Sequence, residues 1–299
     1  MNEPIDYDRG NRLLQELIRG DAVIGLVADV HGMERQILRS LWAAAAQGYA
    51  PAFLRIAECA LATFRPVGAF EGIFDEEAST RPWSAEAKQV TADDEQVQTG
   101  LRAYFEAYRL KDDSALIPFA RLTRQTPEHQ PLAAKLLREK KSPSGAELYT
   151  LGNVLLWLDE KKESAQVQLR AAELGSLDAK FELSLYFEQG LGVPVDLEKA
   201  QHWLDLAAEA GHSRAIYNVG AAYAGGRRGE PDLAKAAQFY ERAAAKGHGR
   251  AACTLGVMIL TGELPGTPEA AIARLNQADE LGYPVWEMLD AVGLDDPRT

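Results

Sequence analysis

Ala179-Lys180-Phe181-Glu182-Leu183-Ser184, followed by Asp196-Leu197-Glu198-Lys199-Ala200, Trp203, Ala207-Ala208 and Gly211-His212, returns in recognisable form further along the chain. The second copy reads Ala215-Ile216-Tyr217-Asn218-Val219-Gly220, Asp232-Leu233-Ala234-Lys235-Ala236, Phe239, Ala243-Ala244 and Gly247-His248. A third opens at Ala251, and each copy starts 36 positions after the one before. A fixed period of this length marks stacked helix-turn-helix units, none of which buries its apolar face alone. The fold expected is all-α, and such arrays present surfaces to other macromolecules.

Helix physics rebuilds each copy. The first helix carries apolar or small residues four apart on one face: Ala179, Leu183 and Phe187, then Ala215, Val219 and Tyr223, then Ala251, Leu255 and Ile259. Ser184, Gly220 and Gly256 follow one residue after the second member of each row, small enough for a neighbouring helix to come close. A Gly-rich turn leads to Asp196, Asp232 or Thr267-Pro268, which suit the start of a second helix. That helix runs out at an Ala-Ala pair and Gly211, Gly247 or Gly282.

The combined pattern resembles the Sel-one-like repeat family, relatives of the tetratricopeptide repeats. The resemblance is strong over 179–283, weaker over 147–175 (Leu151-Gly152, Ala171-Ala172, Gly175) and faint around Ala44-Ala45, Gly48, Ala52 and Ile56-Ala57. Arg274 stands where Trp203 and Phe239 stand, and Asp279 replaces the second alanine, as in a capping repeat that has lost its outer neighbour. The resemblance implies a right-handed superhelical α-solenoid acting as a protein-binding scaffold or adaptor, with no cofactor. It divides the chain into a divergent helical region continuous with the array (1–140), the repeats (141–290) and a C-terminal tail (291–299).

In the N-terminal half, helices are expected around Leu13–Ile18, Gln36–Ala46 and Ala52–Phe64, and over 95–110, 113–124, 130–140 and 145–157. The segment 71–96 differs: its net charge of −6 is half the excess of the whole chain. Trp83 sits within it, either a recognition aromatic on a loop or a ring tucked back onto the helices.

The chain has 299 residues, 46% of them hydrophobic, with 32 basic against 44 acidic residues and a formal charge of −12. That sign opposes a nucleic-acid role, which depends on neutralising phosphates, and favours a basic protein partner. No apolar run is long enough for a membrane span, and no secretory signal opens the chain. Cys59 and Cys253 are too few and too far apart for a disulfide framework, so a cytoplasmic protein with reduced thiols is expected.

Catalytic motifs are weak. Asp29-Val30-His31-Gly32 and Asp6-Tyr7-Asp8-Arg9-Gly10-Asn11 echo a two-metal phosphatase, but in reversed order, without the remaining ligands and in a helical context. Gly225-Gly226-Arg227-Arg228-Gly229 is Gly-rich and basic, yet lacks the Lys-Ser/Thr of a phosphate loop and falls at an ordinary turn. His212 and His248 hold equivalent turn positions. No metal, cofactor or enzymatic activity is expected.

One column repeats: Tyr149, Phe181, Tyr217 and Cys253 are equivalent positions of four successive units. It is read either as a recognition strip or as core between the first helices. Glu147, Glu182 and Glu188 would add negative charge beside it, and Trp83 is a further candidate contact. Taken with the acidic charge, the resemblance implies a bacterial immunity protein that binds and neutralises a cognate basic toxin or effector, as a monomer or weak homodimer. The alternative is a regulatory or assembly adaptor joining cellular proteins.

Overall fold

The structure, a computed structural model, describes residues 4–19, 30–61 and 83–298. Among these residues there are fifteen α-helices and no strand. The helices form two compact units. One comprises the chain up to Pro143 with Asn153–Asp159, the other Ser144–Gly152 with everything from Glu160 onward.

The first unit contains α1 (Ile5–Arg19), α2 (Val30–Ala46), α3 (Ala50–Ala60), α4 (Glu95–Arg109), α5 (Leu116–Leu122) and α6 (Gln130–Arg138), each packed on the next in sequence except across the undescribed 62–82 segment, where α3 still packs on α4. Leu14, Ile37, Leu41, Phe53, Ile56, Leu101 and Phe119 are fully enclosed. The stretch before α4 is strapped down by polar contacts. Arg102 Nε donates to the Val90 carbonyl (2.7 Å), the Ser84 amide donates to buried Glu106 (2.5 Å), and Asp94 caps α4 through the Val97 amide (2.8 Å).

The second unit contains the repeats. After α7 (Gly145–Trp157) and α8 (Lys161–Glu173) come three hairpins: α9 (Leu177–Gln189) with α10 (Leu197–Glu209), α11 (Ser213–Ala224) with α12 (Leu233–Ala245), and α13 (Gly249–Leu260) with α14 (Pro268–Glu280). The short α15 (Val285–Ala291) closes the run by packing on α13 and α14. From α8 to α14 the principal contacts join helices adjacent in sequence, the quasi-one-dimensional packing of a repeat array. The expected caps are present: Asp196, Asp232 and Thr267 accept from the amides of Lys199, Lys235 and Ala270. Gly220 lets α12 approach, since a Cβ there would lie 2.9 Å from the Tyr240 ring and 3.1 Å from the Ala236 carbonyl oxygen.

The Ala-Ala-x-x-Gly-His motif explains the strict period. Gly211 takes φ +95° and Gly247 φ +82°, the left-handed conformation that ends a helix. The Gly211 and His212 amides donate back to Ala208 (3.2 Å) and Ala207 (2.9 Å), and Gly247 and His248 do the same to Ala244 (2.9 Å) and Ala243 (3.0 Å). His212 Nδ1 then accepts the Ala215 amide (3.2 Å) and His248 Nδ1 the Ala251 amide (3.3 Å). One residue therefore ends a helix and caps the next. Ser176 has both roles at the α8–α9 joint.

Candidate protein-binding surface

The column of rings is seated deeper than a recognition strip would be. Phe181 and Cys253 are buried, Tyr149 and Tyr217 half-buried. Burial raises the Cys253 thiol to about 11, so it is not a poised nucleophile. What lies against the rings comes from the following hairpin. His212 stacks on Phe181 with centroids 4.7 Å apart, and Arg214 stands over the same ring at 4.6 Å. One repeat on, His248 stacks on Tyr217 at 4.8 Å and Arg250 stands over it at 5.5 Å. The exposed groups are therefore the arginines, each at the second position of its helix. In α9 that position is Asp178, which is bonded to His212 Nε2 (3.3 Å), and in α15 it is Trp286, 66% exposed.

Sequence reasoning passed over Arg214, Arg250 and Trp286. The signal was present in the first two, spaced by one period and two residues after a capping histidine, but it looks like a solvated charge.

The three glutamates expected to make the strip acidic are each engaged locally. Glu147 belongs to a capping box with Ser144, accepting its amide (2.7 Å) while its own amide donates to the Ser144 hydroxyl (3.2 Å). Glu182 is partly buried, and burial raises its pKa against the opposing pull of nearby Arg214. Glu188 faces Arg227 at 3.9 Å. Trp83 is enclosed at 8% exposure, edge-on to Trp42 (5.1 Å) and tilted against Phe53 (5.9 Å). The ring tucks onto the helices because most of its area is apolar and it meets two aromatic partners there. Residues 71–82 of the acidic segment lie outside the described residues.

A concavity of about 300 Å³ opens between α9, α10 and α11, lined by Leu185, Leu197, Leu204, Asn218, Arg227 and Arg228 among others. Arg228 forks onto Asp205, and the turn 225–229 thus serves an ion pair.

Asp8 pairs with Arg12 (3.0 Å) and Asp6 accepts from Gln47 (3.5 Å); Asp29 lies outside the described residues, as does the side chain of His31. Among the described residues no His, Cys, Asp and Glu side chains gather into a metal-holding group, and no helix is long and apolar enough to cross a membrane.

Capped hairpins joined at a shared residue, with charged side chains laid on a ladder of rings, define a helical-repeat protein. The Sel1 repeat family matches residues 177–212 and 213–248, each match being one hairpin from its first helical residue to the next capping histidine. The chain aligns at 30% identity with a Sel1 repeat protein from Oxalobacter formigenes, over 42% of this chain and 95% of that one, with a TM-score of 0.39. A protective antigen of uropathogenic Escherichia coli displaying an SLR fold aligns at 16% identity over 96% of this chain and 63% of that one, TM-score 0.39. A putative Sel1 repeat protein from Klebsiella pneumoniae aligns at 18% identity over 70% and 97%, TM-score 0.36. No curated protein matches. Over residues 177–248 the chain is a Sel1 repeat protein, a family whose repeats are generally protein-interaction scaffolds.

Proposed function

We propose that this protein is a non-catalytic binding scaffold and, concretely, a cytoplasmic bacterial immunity protein that binds and neutralises one secreted toxin. The observation that carries the scaffold reading is the column of charged side chains set on rings across two consecutive hairpins. The family supports protein as the ligand. The formal charge of −12 supports a toxin that is basic as a whole, drawn in by long-range attraction. Tyr149, Phe181 and Tyr217 then act as the platform beneath the contact, with Glu147, Glu182 and Glu188 shaping its surroundings.

An affinity capture of the tagged chain from its native cells at moderate salt, followed by expression of whatever is recovered, tests the reading. One basic protein, bound one-to-one and toxic unless this chain is co-expressed, is the expected result. Several sub-stoichiometric proteins would instead identify an adaptor.

A further inference from the structure

Among the described residues, Arg227, Arg228, Arg274 and Arg298 of the second unit are neutralised in place, by Glu188, by Asp205, by Glu241, and by Asp279 with Asp296, whereas Arg170 and Arg242 have no ion-pair partner. Arg214 and Arg250 are not neutralised either. Both are exposed, and neither has a carboxylate within ion-pair distance among the described residues, although the chain carries twelve more acidic than basic residues, for its net −12. Each is held instead against a ring, which orients the guanidinium and leaves its hydrogen-bonding edge unused. The two act on the same place: His248 is held below its ordinary value by burial and then by Arg214, Arg250 and His212. Spaced by one repeat period and each laid over a ring of the preceding hairpin, the two form a positive strip on an acidic protein, with partly buried Glu182 near Arg214.

We infer that the Arg214–Arg250 strip seats an acidic segment of the protein partner, its carboxylates meeting the two guanidiniums and an adjoining apolar residue reaching toward Trp286. This rests on the scaffold reading and adds the chemistry of the segment that is recognised. Guanidinium and carboxylate match as planar forks, and an arginine already ordered on a ring loses less freedom when it binds. Trp286 holds the same helical position in α15 as the arginines hold in α11 and α13, so the column passes from charge to an exposed indole. Net charge governs the long-range approach of the whole partner, whereas the strip selects the sign of the segment that lies on it.

The test uses fluorescence anisotropy of the full chain with a labelled synthetic peptide of repeated Glu-Gly-Leu and with its Lys-for-Glu counterpart. The acidic peptide is expected to bind in a saturable, salt-sensitive manner and the basic one is not. The R214Q/R250Q double variant should bind the acidic peptide about tenfold more weakly, and R214K/R250K should recover part of the loss. R242Q removes an arginine that lies over Phe239 on the other helix of a hairpin and should bind as the parent does. Thermal melts establish that the variants remain folded. Equal binding of the basic peptide, no saturable binding of the acidic one, or an equal loss in R242Q overturns the inference. A captured partner that binds R214Q/R250Q as tightly as the parent removes the strip and leaves the scaffold reading intact.

Discussion

The imidazole of His248 lies nearly flat on Tyr217, at an interplanar angle of 21°, while its Nδ1 accepts the Ala251 amide that opens α13. His212 repeats the arrangement on Phe181, and with its Nδ1 occupied as an acceptor its neutral ring donates from Nε2 to Asp178. Protonation of Nδ1 would turn the acceptor into a donor and abolish the cap. Both histidines are held below their ordinary value of 6.5, by burial first, with Asp178 opposing the shift at His212. A depressed value in the folded chain means that the unfolded chain binds the proton more readily. The stabilisation is thus complete above the unfolded value of 6.5 and is lost as pH falls through the lower folded values. Thermal melts across that window should show the second unit weakening on acidification, and H212N/H248N, which keeps a capping acceptor, should flatten the dependence. Alanine at either position should cost about 1 kcal/mol at neutral pH.

Gly220 predicts a steeper effect. Alanine there drives a methyl group into the Tyr240 ring and toward the Ala236 carbonyl, so G220A should destabilise the second unit by roughly 1–3 kcal/mol. Gly247 has open space around its missing Cβ, and G247A should cost only the left-handed backbone term of roughly 1–2 kcal/mol. Denaturant titration of both variants separates crowding from conformation.

Removing Trp83 should act on the first unit. W83A removes the ring that packs on both Trp42 and Phe53 and should lower stability by roughly 3–5 kcal/mol. The measurement is a chemical unfolding curve followed by circular dichroism. An unchanged midpoint would contradict the enclosed position of the ring.

Much of the repeat architecture was legible because its signals are local. Asp196, Asp232 and Thr267 are recognisable caps, and Gly211 and Gly247 are recognisable stops, whatever surrounds them. The histidine caps were legible only as turn residues, since imidazole is not among the side chains that usually begin a helix. The column of rings was legible in register, with strip and core both open: its period of 36 aligns Phe181 and Tyr217 but does not say that Arg214 and Arg250 cover them. Trp83 depended on Trp42, 41 positions earlier, a long-range contact to which no periodicity points.

The joints predict where the chain accepts extra length. A glycine inserted between Gly247 and His248 separates the helix stop from the cap and should lower the melting temperature sharply. The same insertion between exposed Gly229 and Glu230, beyond the Arg228–Asp205 ion pair, should cost much less. In the third hairpin the turn between helices is already one residue shorter than in the second, running from Leu260 to Pro268 rather than from Ala224 to Leu233.

Because His212 and His248 each belong at once to the helix they end, the helix they begin and the ring of the hairpin before, a helical hairpin is not the natural module of inheritance. A duplication copying only α11 and α12 would carry a capping imidazole away from its ring, or a ring away from its imidazole. The segment that can be copied without a scar is a full period such as 213–248, a hairpin together with the capping histidine that follows it, which keeps Tyr217 with its imidazole. Descendants of such an array would lengthen by whole periods and vary freely only in the loops within each hairpin.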